Sequence, residues 1–284
     1  MSLPKHTPYR NGDGGVKVGL EPIEEADWLE IDNLFDSEIE LKKKLYESNY
    51  KEIHRELDLS LKSQHELLEM LKTHLNQYHP SHEITATKSS APLKNASLMV
   101  QEDLVLMLPA EEKYFLGAAS LCAPSNWSLK EKFNGSLIEL HEDVPSYENK
   151  IGKRVNNLFT KLPNDRIFQR FNWSIYEEAT LFQPIRNKSH VERSKTITDK
   201  NAGDRLFIRV ERQTIRRLPK TKAIAFTIRV HVDPLSSIKE DLSLVRDLKK
   251  AIKNLSEGMK RYKSLGPIET ALIGWLDKKI KSLS

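Results

Sequence analysis

The stretch Leu121–Tyr147, LCAPSNWSLKEKFNGSLIELHEDVPSY, joins an apolar run to a helical one and concentrates turn, cap and titratable residues in one connection. Its first part leaves a strand at Pro124 and turns through Ser125 and Asn126. Ser128, with Glu131 three residues on, then has the form of a capping box and predicts a short helix that Gly135 ends. Leu137, Ile138 and Leu140 give a second apolar turn, which stops at His141 because Val144-Pro145 cannot continue a helix. Two acids, Glu142 and Asp143, follow. A histidine so placed has two readings: it caps a helical carbonyl or lies in solvent, or its neutral imidazole points into a pocket and offers a lone pair to a metal.

Upstream, Leu98 to Leu108 and Tyr114 to Cys122 are apolar runs joined by Pro109–Lys113, and they read as a β-hairpin. Glu102 and Asp103 interrupt the first of them. Neighbouring strand residues point to opposite faces, so one of the two acids is expected to face the core, where a carboxylate needs a partner or a function. Downstream, a helix is expected from Tyr147 to Leu162, with Ile151, Val155, Leu158 and Phe159 on one face. A third strand runs from Ile167 to Phe182 and carries Arg170 and Asn172-Trp173-Ser174-Ile175. A fourth begins in Gly203–Arg212, and a fifth follows from Ala223 to Val232. His231 lies between Val230 and Val232, so it faces solvent or the pocket, and it is a second candidate metal ligand.

The flanks are helical. From Pro22 to about Tyr78, Trp28, Ile31, Leu34 and Phe35, then Leu57, Leu61, Leu67, Leu68 and Leu71, recur at the spacing of a helix face that must be buried, most simply on the sheet. His54, His65, His74, His79 and His82 are scattered along this segment and read as surface histidines. Residues 1–18 read as an extended arm, and a Ser/Thr/Lys-rich connection separates the helical segment from the hairpin at Ser81–Ala91. After Ser236, Leu242, Leu244, Val245, Leu248 and Ile252 mark one amphipathic helix, and Ala271, Leu272, Trp275 and Leu276 mark another.

Composition excludes several classes. With 38% hydrophobic and 30% charged residues, the chain has enough apolar material for a core and is neither disordered nor fibrous. It has no apolar run long enough to span a bilayer, and its N-terminal residues do not form a secretory signal, so the cytoplasm is the expected location. One cysteine, Cys122, rules out an internal disulfide and reads as core packing. The net charge of +5 invites a nucleic-acid partner, but basic and acidic residues alternate and no aromatic-interleaved basic tract exists, so none is expected. Arg209–Lys222 is the exception, readable as a solvated edge strand and turn or as a set of anion-pairing cations. Gly12 and Gly14-Gly15 form no nucleotide fingerprint, and no Walker, zincin or serine-hydrolase motif occurs.

Several quoted elements together carry a resemblance. Pro124-Ser125-Asn126-Trp127-Ser128, Glu131-Lys132, Gly135, Leu140–Pro145 and Tyr147 resemble the helical connection of a PAS domain. More closely, they are similar to the catalytic haem subunit of the haem-dependent oxidative N-demethylases. Gly19-Leu20, Pro22-Ile23, Trp28-Leu29, Asn172–Ile175, Glu211–Thr214, Arg217–Pro219, Phe226–Arg229, Asp233–Leu235 and Arg261–Lys263 extend it over Gly19 to Lys263. The resemblance implies an α+β fold: a PAS-like five-stranded antiparallel sheet with a helical connection on one face, plus N- and C-terminal helices. The expected division is an N-terminal arm and helical segment over 1–90, a haem-binding core over 91–235, and C-terminal helices over 236–284.

The same resemblance implies haem b with His141 as iron ligand, and O2-dependent demethylation of a small secondary amine such as dimethylamine, releasing formaldehyde. It also implies electrons from a separate NADPH-linked reductase subunit carrying flavin and an iron-sulfur centre. Chemistry then suggests Glu102 or Asp103, with the face of Trp173, for an alkylammonium. Lys132, Arg216 and Arg217 are suggested for the haem propionates. A haem or ligand sensor without turnover, and an interaction module without haem, are the alternatives.

Overall fold

The computed structural model describes residues 3–12, 19–82, 89–111, 113–142, 159–185 and 188–284. The expected helix from Tyr147, with Ile151, Val155 and Leu158, lies outside these residues, as do Asp143 and Val144-Pro145. So do the middle of the Ser81–Ala91 connection, Gly14-Gly15 and part of the arm. Residues 159–161 are helical.

The apolar runs become the long strands β3 (Asp103–Ala110), β4 (Lys113–Ser120), β5 (Ile167–Tyr176), β6 (Phe207–Arg217) and β7 (Ile224–Pro234). The expectation of a five-stranded PAS-like sheet is corrected. The sheet has seven antiparallel strands in the order β1-β5-β6-β7-β3-β4-β2 and is open, with β1 (Glu21–Ile23) and β2 (His54–Glu56) as its two edges. Both edge strands come from the segment read as helical. Helices are also distributed more widely than expected, because Lys188–Lys195 and Ala202–Arg205 fall between β5 and β6.

Both sheet faces are covered. On one face α1 (Phe35–Ser48), α2 (Tyr50–Ile53), α3 (Leu61–Tyr78) and α4 (Pro92–Ser97) precede β3. Leu67, Leu68, Leu71 and Leu75 of α3 form one stripe and pack in a common core with Leu104, Leu106 and Leu108. Each such leucine stabilises the fold by roughly 1.5–3 kcal/mol relative to exposure. On the other face, Val105, Met107 and Ile215 meet Leu129 of α5 (Leu129–Lys132), Leu137 of α6 (Leu137–Leu140), Phe159 and Leu162. A third core joins Trp173, Ile175, Ile208 and Val210 to Leu244, Leu248 and Ile252, and to Leu272 and Trp275. These last residues lie on the helices Leu242–Asn254 and Glu269–Leu283.

The helix-covered face is also held by buried cations. Lys42 donates to the carbonyls of Ser97, Val100 and Glu102 at 3.1, 2.9 and 2.6 Å. Arg229 pairs with Asp32 at 2.7 Å and with Glu38 at 2.8 Å. His54 and His74 are buried at 4% and 2% exposure, which corrects their reading as surface residues. His74 sits edge-on to Trp28, with ring centroids 5.2 Å apart. Among the described residues, no helix is long and apolar enough to cross a membrane.

Candidate functional site

Between the sheet and the connection lies a cavity of about 840 Å³, within the range of roughly 300–1,000 Å³ typical of small-molecule and cofactor sites. Strand alternation builds its walls. On β7, Phe226 and Ile228 face it, and on β3, Val105 and Met107 do, so its floor is apolar. On β5 and β6, Arg170, Asn172, Glu211 and Gln213 face it, so one wall is polar. The paired register Arg170↔Gln213 and Asn172↔Glu211 brings these four side chains together.

The connection forms the roof. Its capping box is at Ser136 and Glu139, not at Ser128 and Glu131: Ser136 Oγ accepts from Glu139 N–H, and the Glu139 carboxylate accepts from Ser136 N–H at 2.6 Å. Ser128 is an N-cap without a side-chain bond. Gly135 stands where a Cβ would meet the Lys132 carbonyl at 2.9 Å, so only glycine allows the chain to turn this closely from α5 into α6. Gly135 O also accepts from Leu116 N–H at 2.9 Å, which ties the roof to β4.

His141 ends α6 and lines the cavity. Its Nδ1 lies 2.9 Å from Leu137 O, so Nδ1 carries the proton and donates it, and the ring lone pair is on Nε2. The capping and ligand readings are therefore compatible, since the cap uses one nitrogen and a ligand bond uses the other. Burial pushes the His141 pKa down. The bond to Leu137 opposes this, while the positive charges of Arg170 and Lys132 add to it, so the neutral ring is favoured. Lys132 also lines the cavity, and its Nζ meets Glu142 at 2.8 Å and Glu139 O at 3.3 Å.

The polar wall continues into Lys263, just past the helix Glu257–Tyr262. Its Nζ donates to Asn172 Oδ1 at 3.0 Å and to Trp173 O, and lies 5.2 Å above the Trp173 ring. Burial drops the Lys263 pKa to about 8, with Glu211 opposing the shift and Arg170 adding to it. Glu211 accepts from Gln213 at 2.8 Å and from Asn172 at 3.4 Å.

The adjacent acids Glu102, just before β3, and Asp103, its first residue, point in different directions. Asp103 borders the cavity, but both its oxygens are engaged, by Cys122 N–H at 2.7 Å and Ala123 N–H at 2.8 Å. Arg209 clamps the same loop from β6, donating to Ala123 O, Pro124 O and Ser125 Oγ. Glu102 is outside the cavity lining and accepts from Glu30 N–H at 2.8 Å. Burial raises the pKa of both acids, against the pull of Lys42 on each.

Trp173 lines the cavity but is only 5% exposed, and its ring packs edge-on to Tyr9 at 6.0 Å. Arg216 points to the opposite sheet face, where it pairs with Glu25 at 2.7 Å and stacks 4.2 Å from the Trp28 ring. Arg217 donates to the carbonyls of Phe159 and Leu162 and is not in the lining. His231 lies on the opposite face as well, 2.8 Å from Glu30. The cavity thus gathers His141, Lys132, Asp103 and Trp173, and leaves out Glu102, Arg216, Arg217 and His231. Glu211 and Lys263 are its unanticipated polar members. The alternation Arg209, Glu211, Gln213 along one apolar strand was the available signal for Glu211.

A family model described as haem-dependent oxidative N-demethylase, alpha subunit-like, matches residues 19–273.

Proposed function

The chain belongs to the haem-dependent oxidative N-demethylase alpha-subunit-like family, and from that premise we propose that its cavity holds haem b with His141 Nε2 as the iron ligand. The observation that carries the reading is the His141–Leu137 hydrogen bond, which puts the imidazole lone pair on the other nitrogen of a ring lining a large, apolar-floored cavity. The residues present suit such a group. Val105, Met107, Phe226 and Ile228 offer apolar surface to a macrocycle. Lys132 and Arg170, whose charges reach His141, are placed to meet its carboxylates.

When bound, the haem supplies O2 activation and oxidation of an N-methyl group, which leaves as formaldehyde. The chain's own part is to hold the amine. Among the carboxylates lining the cavity, Glu211 is the one on its polar wall that attracts the alkylammonium of a small secondary amine such as dimethylamine, with the amide donors of Gln213 and Asn172 fixing the direction of the carboxylate. Lys263, with its pKa near 8, sits beside Glu211 as a group able to exchange a proton near neutral pH. Electrons come from a separate subunit, the partner that the family's designation as an alpha subunit implies, and we assign to it the flavin and the iron-sulfur centre.

The test is the visible spectrum of protein made in haem-replete cells. The wild type is expected to carry one haem b with a Soret band that His141→Ala largely abolishes and His231→Ala does not. A His141→Ala variant with full haem occupancy and an unchanged spectrum would refute the assignment. Haem binding without formaldehyde release from any N-methylamine, with a competent reductase present, would reduce the protein to a haem-binding sensor.

A further inference from the structure

On the helix-covered face, three metal-ligand side chains from distant parts of the chain converge. His6 lies on the N-terminal arm, Glu30 follows the buried pair Trp28-Leu29, and His231 lies on β7. His6 Nε2 is 2.9 Å from Glu30 Oε1, and His231 Nε2 is 2.8 Å from Glu30 Oε2. The two rings stand 5.0 Å apart at 68°, so both Nε2 atoms aim at one carboxylate. All three ligand atoms fall within 4.8 Å of one another, and none of the three residues lines the cavity.

We propose that His6, Glu30 and His231 form a second metal site, separate from the cavity, for a divalent first-row ion such as zinc or ferrous iron. Two imidazole nitrogens and one carboxylate oxygen are the donor set that such ions take, commonly with a position left for water. On a tetrahedral ion with bonds of about 2.0–2.1 Å, neighbouring ligand atoms lie roughly 3.4 Å apart. Glu30 Oε2 is shared by both histidines, 3.2 Å from His6 Nε2 and 2.8 Å from His231 Nε2, so these N···O contacts need to open by only a few tenths of an ångström to admit it. The ion replaces two N–H···O hydrogen bonds, and each imidazole then carries its proton on Nδ1.

The surroundings suit a dication. Glu30 is fixed from behind, because its own N–H donates to the buried Glu102 carboxylate at 2.8 Å. Asp233, two residues beyond His231 on the same strand face, interacts with both histidines and adds a second negative charge. Arg212, a buried opposing charge, lies 3.9 Å from Glu30, but its other contacts are to Gln169 and to the carbonyls of Asp27 and Trp28. Lys5 approaches Glu30 at 2.7 Å with a half-exposed side chain, and it is the group the ion displaces. An ion held this way fastens the arm to β7.

The experiment is a zinc titration of the full chain, freed of loosely held metal, against a chromophoric chelator. Haem content is measured separately by pyridine haemochrome. One equivalent of zinc is expected to bind, at least tenfold more weakly in His6→Ala and in His231→Ala, with haem content unchanged in His6→Ala and zinc binding unchanged in His141→Ala. His6 lies outside the sheet, so His6→Ala decides the matter if His231→Ala fails to fold. Zinc binding that is absent in the wild type, or undiminished in His6→Ala, overturns the proposal and leaves the haem reading untouched.

Discussion

Lys263 is where burial and chemistry meet at the level of one side chain. In the unfolded chain its ammonium holds its proton up to about pH 10.5, and in the fold it releases it near 8. Between these values the unfolded state binds more protons, so this group makes stability rise with pH, while below pH 8 the fold carries the full cost of the buried charge. Lys263→Met removes that dependence. The stability advantage of the variant over wild type is expected to shrink between about pH 7.5 and about pH 10, by up to roughly 3 kcal/mol at 1.36 kcal/mol per pK unit. Urea melts at the two pH values check it, and a constant difference would show that Lys263 is not the titrating group. The place of His141 at the end of an apolar turn was legible in the sequence because its signals are local: an apolar turn before it and a helix stop after it. Lys263 and Glu211 were not, because their meaning comes from contacts across the fold. Lys263 meets Asn172, 91 residues away. Arg216 and Arg217 read alike as a basic pair, yet strand parity sends one to each sheet face.

At the level of elements, one glycine keeps β4 in phase with the cavity. Tyr114 and Leu116 pack on the cavity side, and simple alternation would put Ala118 there too, but Ala118 lies in the core of the opposite face while Ala119 and Leu121 return to the cavity side. The register shifts between Leu106 and Met107 of β3, which pair with Ala118 and Leu116, so Gly117 is the extra residue of a β-bulge. A Cβ at Gly117 would lie 2.3 Å from the buried Leu108 Cδ1. Gly117→Ala is expected to destabilise the fold by about 1–3 kcal/mol through overpacking. The double variant with Leu108→Ala should cost less than the sum of the two single changes, as denaturant melts would measure; simple additivity would remove Leu108 as the cause. The long strands were readable because eight to eleven residues suffice to display apolar alternation. β1 and β2, with three residues each, are too short to display it. The helical pattern around them took over, and the sheet was read two strands too narrow.

At the scale of the whole molecule, the residues before α3 are joined to the sheet by buried charge as much as by apolar packing. Arg212 donates to the carbonyls of Asp27 and Trp28, Arg216 pairs with Glu25, and Arg229 pairs with Asp32 and Glu38. Stripping the buried Arg229 of its acidic partners costs roughly 3–5 kcal/mol, because its charge is left without compensation, whereas Glu25 is 42% exposed and its pair with Arg216 contributes less. A chain beginning at Leu61 loses several such partners at once. It is expected to be recovered only as aggregate, and a monomeric, cooperatively melting fragment on size exclusion would show the segment to be dispensable.

The strands β1 and β2 bear on how this molecule can meet another. Each margin of the sheet ends in only three residues, and in one of them Pro22 has no N–H to give. The short strands themselves template little, but β1 covers only Ile167–Gln169 of β5, and among the described residues Arg170–Tyr176 has no strand beside it on that side. Recognition of a partner subunit, which the family's designation as an alpha subunit implies, has only side chains to use at β1 and β2 themselves, and such recognition weakens as salt rises.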